Sequence, residues 1–150
     1  MARWCRIAVT GFLVSACATM EGVEERYLVC SYNQVWDAAL ATVNDRPVTV
    51  KDKDKGLIET DWLEVPAPGR KYGVLRREIA DARDRSRLVL NVTRVDSTTK
   101  LVVTETRESW KFRGGSRLFG WQPAEPSEEE MEALMRRFTT KLKEQGCTPT

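Results

Sequence analysis

Asp52, Asp54, Glu59 and Asp61 crowd into one short stretch and are the first residues to ask about chemistry. A carboxylate pair can do acid–base work when burial raises one partner and leaves the other ionised. Here strand alternation and an exposed charged turn, Asp52-Lys53-Asp54-Lys55-Gly56, make a solvated hairpin the better explanation. The chain has no histidine, which removes the commonest general base and metal ligand. Gly114-Gly115 lacks the lysine and following helix of a phosphate-binding loop. Cys30 and Cys147 have no basic neighbour that would make either a reactive thiolate. No catalytic residue, metal site or cofactor is expected, and the chain reads as a non-enzyme.

The remaining reactive position is Cys17. Arg3 and Arg6 precede an apolar run from Ile7 to Val14, and Ser15-Ala16 places small residues immediately before Cys17. A charged start, a short apolar core and a small-residue cleavage site are the parts of an export signal. The run is too short for a permanent span, which needs about 20 apolar residues. Val14-Ser15-Ala16-Cys17 resembles the lipobox of bacterial lipoprotein precursors. That resemblance implies cleavage before Cys17, a diacylglycerol on its sulfur and a further acyl chain, such as palmitate, on its new amino group. The alternative is a small hydrophobe within an ordinary signal peptide. Ala18 follows the cysteine instead of aspartate, which by the same resemblance sends the protein to the outer membrane, anchored on its periplasmic face.

Residues 1–16 are thus expected as signal peptide, 17–25 as a lipidated tether and 26–147 as a single domain. Of 24 basic and 22 acidic side chains, Arg3 and Arg6 leave with the leader, and the mature chain balances. A neutral chain offers no electrostatic case for nucleic acid. About 130 residues suffice for one domain with a modest core. In an oxidising compartment, Cys30 and Cys147 form a candidate disulfide closing nearly the whole domain. The other reading, a buried thiol and a frayed tail, stays open, because sequence does not show whether their Cα atoms approach within about 7 Å.

These positions must be held by elements that the pattern predicts. Arg26 to Cys30 reads as a strand. Ser31 and Gln34 make a capping-box pair ahead of Val35, Trp36, Ala39, Leu40 and Val43 at helical spacing. Val48 to Val50 and Leu57 to Val65 read as a hairpin, with Ile58, Thr60 and Trp62 on one face. Lys71 to Ile79 is a further strand, Asp81 to Ser86 a charged turn, and Arg87 to Val95 and Leu101 to Phe112 the strongest strands. Leu88, Leu90 and Val92 share an apolar face, matched by Val102, Trp110 and Phe112. A last helix starts at Ser127, with Glu130 reaching back to the cap, and carries Met131, Leu134, Met135, Phe138 and Leu142 to a stop at Gly146. The order β-α-β-β-β-β-β-α predicts an α+β fold, a single antiparallel sheet packed by two helices on one face.

Large aromatics offer binding, since such groups are enriched in contact hot spots. Trp62 and Trp110 are expected to pack under the helices. Phe119 and Trp121 sit in what reads as an Arg113 to Pro126 loop and are the candidate partner-binding residues, with Arg113, Arg117 and the uncovered sheet face as weaker polar contributors. Val35 to Trp62, above all Asp54-Lys55-Gly56-Leu57-Ile58-Glu59-Thr60-Asp61-Trp62, resembles the helix-grip domains of BamC, a lipoprotein of the outer-membrane β-barrel assembly machine. BamC has two such domains and a long partner-binding segment, for which this chain has no room. The resemblance implies a helix-grip-like fold and an outer-membrane accessory or scaffold protein linked to barrel assembly, with envelope or barrel-assembly proteins as partners. A carrier of a lipid or small apolar ligand, held between sheet and long helix, is the alternative.

Overall fold

The computed structural model describes residues 21–66, 71–72, 77–78, 83–112 and 119–148. Strands β1 (Glu21–Leu28), β2 (Val48–Asp52), β3 (Leu57–Thr60), β4 (Leu63–Pro66), β7 (Arg83–Val95), β8 (Thr98–Phe112) and β9 (Phe119–Pro123) build one antiparallel sheet. Two short strands, β5 (Lys71–Tyr72) and β6 (Arg77–Glu78), pair with each other. Helices α1 (Tyr32–Thr42) and α2 (Glu128–Glu144) complete the α+β fold.

The spine of the sheet is the long hairpin of β7 and β8, paired from Asp84↔Ser109 to Val95↔Thr98. Asp96 takes the turn at φ 51°, a conformation aspartate tolerates better than most residues. Each outer flank of the spine carries two strands in succession. On one, β1 pairs with Leu101 to Thr106 of β8 and with Thr99 and Lys100, while β9 takes over from Glu108 to Phe112. On the other, β3 pairs with Val89 to Asn91 of β7 and β4 with Arg83 to Ser86.

Both helices cover the same face. Leu88, Leu90 and Val92 of β7 meet Leu101 and Val103 of β8 there, and Val35, Trp36, Ala39, Leu134, Phe138 and Leu142 close over them. At roughly 1.5–3 kcal/mol for each fully buried large side chain, this cluster is the main source of stability. Each helix is fixed at its ends. Ser31 and Gln34 form the expected reciprocal cap on α1. At the end of α2, Gly146 adopts φ 76°, its N–H donates to Lys143 O, and the Cys147 N–H reaches back to Leu142 O. This reversal swings Cys147 to Cys30, with Cα atoms 5.9 Å apart and the sulfurs joined, in a disulfide spanning 117 residues.

Several expectations change. The first strand starts at Glu21, so residues 21–25, read as tether, pair with β8. The expected Asp81 to Ser86 turn is strand from Arg83 onward. Leu57 to Val65 is broken at Asp61-Trp62, where the Asp61 N–H turns to Pro47 O and the Trp62 N–H to Asp61 Oδ1. Ile58 points to the helices, whereas across this break the alternation inverts, because Leu63 pairs with buried Ser86 and Glu64 with Arg85. Trp62 therefore leaves the face of Ile58 and Thr60. On β8 the core face is Leu101 and Val103, not Val102 and Trp110.

Candidate functional site

Strand parity decides what gathers at the end of the hairpin remote from its turn. Residues paired across antiparallel strands point to the same face. Leu88 faces the helices, so Arg83, Arg85 and Arg87 must project from the opposite face, which among the described residues no helix covers. Glu108 pairs with Arg85, and Trp110 pairs with Trp121, so these share that face. Trp62 joins them through the inversion at Asp61.

The result is an interleaved array of indoles and guanidiniums. Arg85 is clamped between Trp62 and Trp121, 4.4 Å and 4.3 Å from the two ring centroids. Arg83 lies 5.4 Å from Trp110 and 6.0 Å from Trp121, and Arg87 lies 5.3 Å from Trp62. Trp110 and Trp121 meet edge to face with centroids 5.2 Å apart. Each cation–π contact adds about 0.5–2 kcal/mol, with the upper end reserved for desolvated pairs. Arg85 is also 2.6 Å from Glu108, and Arg83 is 3.1 Å from Glu64. Arg87 is exposed and has no ion-pair partner among the described residues. The three tryptophans are half-buried, and Phe119 is 41% exposed.

Behind this array, on the helix side, the same strands carry a buried ionic network. Arg107 lies 3.1 Å from Asp84, 2.9 Å from Glu130 and 3.5 Å from Glu105. Burial opposes the Arg107 charge, but Glu130 and Asp84 outweigh it and hold its pKa above the ordinary value. Glu105 is almost fully buried, and desolvation raises its carboxyl above the usual range despite the Ser127 N–H it accepts. Glu105 thus takes the reach-back role expected of Glu130, which turns to Arg107 instead. Ser127 still caps α2 by accepting the Glu130 N–H. Arg46 donates to Ser86 O and Oγ, and burial lowers its pKa. Its Nε is buried without a hydrogen-bond partner among the described residues. A cavity of about 170 Å³ beside the network is lined by Arg46, Leu88, Glu105, Glu130, Met131 and Leu134.

Among the described residues no set of Cys, Asp and Glu side chains converges as a metal site. Asp52 accepts from the Lys55 N–H and ion-pairs with its ammonium, which lowers its pKa. Asp61 caps its neighbour's N–H, so the four carboxylates of that stretch do not act as a unit. No described helix is long and apolar enough to cross a membrane.

Phe119 and Trp121 belong to strand β9 rather than a loop, and the pairing of β9 brings Trp121 beside Trp110. Trp62 and Trp110, expected under the helices, lie on the opposite face. Cys30 and Cys147 are joined. Cys17 lies outside the described residues, as do Arg113 and Arg117. Asp81 to Ser86 reads as a turn, which hides Arg83 and Arg85, and Arg87 reads only as the first residue of the next strand. Their spacing, Arg83-x-Arg85-x-Arg87 continuing into Leu88-x-Leu90-x-Val92, is a strand pattern with cations opposite the core. No protein-family model matches the chain, and no curated protein matches it.

Proposed function

We propose that this chain is a lipid-anchored protein of the outer membrane's periplasmic face, working by contact and not by catalysis, as an accessory or scaffold protein near β-barrel assembly. The observation that carries the reading is the array of Trp62, Trp110 and Trp121 with Arg83, Arg85 and Arg87 on the uncovered sheet face. Tryptophan and arginine are the residues that most often carry binding energy at protein surfaces. The charged groups on the other side are engaged with each other in ion pairs, an arrangement suited to holding α2 against the sheet. Support for an oxidising compartment comes from the Cys30–Cys147 bond, and the lipobox at Cys17 supports the anchor.

A carrier of apolar ligands has less support. The cavity beside the ionic network is about 170 Å³, below the roughly 300–1,000 Å³ usual for ligand pockets, and a wider cleft of about 580 Å³ between β1 and the start of α2 is edged by Glu24, Glu125, Glu128 and Glu132, a lining that does not suit an apolar ligand.

The test is crosslinking in native envelopes followed by affinity purification of a C-terminally tagged chain, beside a Cys17→Ala control. Recovery of barrel-assembly proteins by wild type, with loss of membrane association in the control, is the expected result. Recovery of no protein at all would remove the scaffold reading.

A further inference from the structure

We infer that the tryptophan–arginine face is where the domain rests on the lipid surface, its indoles at headgroup depth and its guanidiniums on lipid phosphates. The inference rests on acylation of Cys17 and on the reading of this face as a contact surface, and it takes lipid in place of a protein as what the array touches, a choice that the vesicle experiment decides.

The geometry begins with the short chain between anchor and domain. Glu21 starts β1, paired with Thr106 of β8. Three residues lie between it and Cys17, and the four residue steps reach at most about 13–14 Å. Followed from Leu28 back to Glu21, β1 points in the direction in which β8 runs on to Glu108, Trp110 and Phe112, since the two strands are antiparallel. Trp110 lies four positions beyond Thr106, a distance of about 14 Å along the strand. The tether is therefore no longer than the stretch of sheet that carries the array. With Cys17 held in lipid, the end of the sheet bearing Trp62, Trp110 and Trp121 is kept at the membrane, and the Asp96 turn and the disulfide lie at the other end.

The chemistry of that end suits the surface it would meet. Tryptophan is enriched at the boundary between headgroups and acyl chains because its ring is apolar and its N–H is not. Arginine grips phosphate with paired N–H groups and stacks on rings while doing so. Arg83, Arg85 and Arg87 are balanced by Glu64, Glu108 and, opposite Thr106 on the same face, Glu21, with Arg87 lacking an ion-pair partner among the described residues. Contact should then depend mainly on the indoles and weakly on salt. Val23, 60% exposed and opposite Thr104 on the same face, extends the apolar surface beside the tether.

The experiment uses the acylated chain purified from envelopes and reconstituted into vesicles of phosphatidylethanolamine and phosphatidylglycerol, with and without brominated acyl chains. Tryptophan emission is the readout. After loss of the leader the fluorophores are Trp36, buried in the core, and the three of the array. Intact mass first reports whether Cys17 is acylated. The expected result is an acylated chain whose emission falls by half or more in brominated vesicles and is shielded from aqueous iodide. An Arg83→Glu, Arg87→Glu chain with unchanged circular dichroism sets Glu64, Glu108 and the two introduced carboxylates against Arg85 alone within the array, repels phosphatidylglycerol, and should lose most of that quenching while remaining anchored. An acylated chain whose tryptophans stay open to iodide and unquenched by bromine overturns the inference and leaves the anchor standing, and shielding seen only in whole envelopes would assign the face to a protein. A mass without acyl chains overturns the anchor and the inference together.

Discussion

Along the β7–β8 hairpin, the half near the turn and the half remote from it distribute polarity in opposite ways. Near the turn, Leu90, Val92, Leu101 and Val103 face the helices and are buried, while Asn91, Val102 and Thr104 look outward. At the remote end, Asp84, Glu105 and Arg107 face the helix side, and tryptophans occupy the outer face. The alternation of the strands never slips between the two halves. What changes is the residue type placed on each side. The half near the turn is built for stability, and the other maintains a surface of indoles and guanidiniums outside the core at the expense of charges within it. Buried ion pairs rarely add net stability, so their use there points to positioning.

Substitutions can break or sharpen this contrast. Leu90→Ala, near the turn, should cost about 2–5 kcal/mol in denaturant unfolding, since Leu90 is fully enclosed. Arg107→Ala should cost about 3 kcal/mol by leaving Glu105 and Asp84 buried with less compensation. Pairing that change with Glu105→Gln should recover part of the loss, and full additivity would show that the network is not coupled. Trp110→Ala should cost only about 1–2 kcal/mol, the scale of its contacts with Trp121 and Arg83. A loss as large as that of Leu90→Ala would mean the outer face is a second core, and the contrast would collapse.

The smallest effect is a pH dependence. Burial raises the Glu105 carboxyl above its ordinary value of 4.5. A raised carboxyl favours the fold fully below the unfolded-state pKa, and that contribution is lost as pH rises through the folded-state value. Arg107, Arg46 and the Ser127 N–H face this group and oppose the shift, while Glu130 adds to it. Relative to Glu105→Gln, wild type should therefore lose thermal stability as pH rises from about 4.5 upward. A stability difference independent of pH would show that Glu105 is not raised.

Much of the fold can be read from local pattern. The cap at Ser31, the stripe of α2 and the stop at Gly146 each depend on residues within a few positions of one another, and the structure bears them out. The site is less legible. Trp62 follows a run that alternates as one strand, and only the turn of the Asp61 N–H to Pro47 O reverses its direction. Trp121 sits among glycine and arginine that read as loop, and it becomes strand because β8 extends past the end of β1 and offers a free edge. Arg83 and Arg85 look like turn residues until β4 pairs with them.

What the sequence by itself determined was the composition of each element and its capping: two amphipathic helices and a valine-rich hairpin, with Cys30 and Cys147 at the two ends of the domain. Those are short-range properties, set by periodicity and by side chains that satisfy nearby backbone groups. Only the tertiary structure decided that Cys30 meets Cys147, that Glu105 rather than Glu130 reaches the Ser127 N–H, and that three tryptophans and three arginines converge on the uncovered face. Each of those depends on strand register between distant segments, and register is fixed by pairing across the sheet.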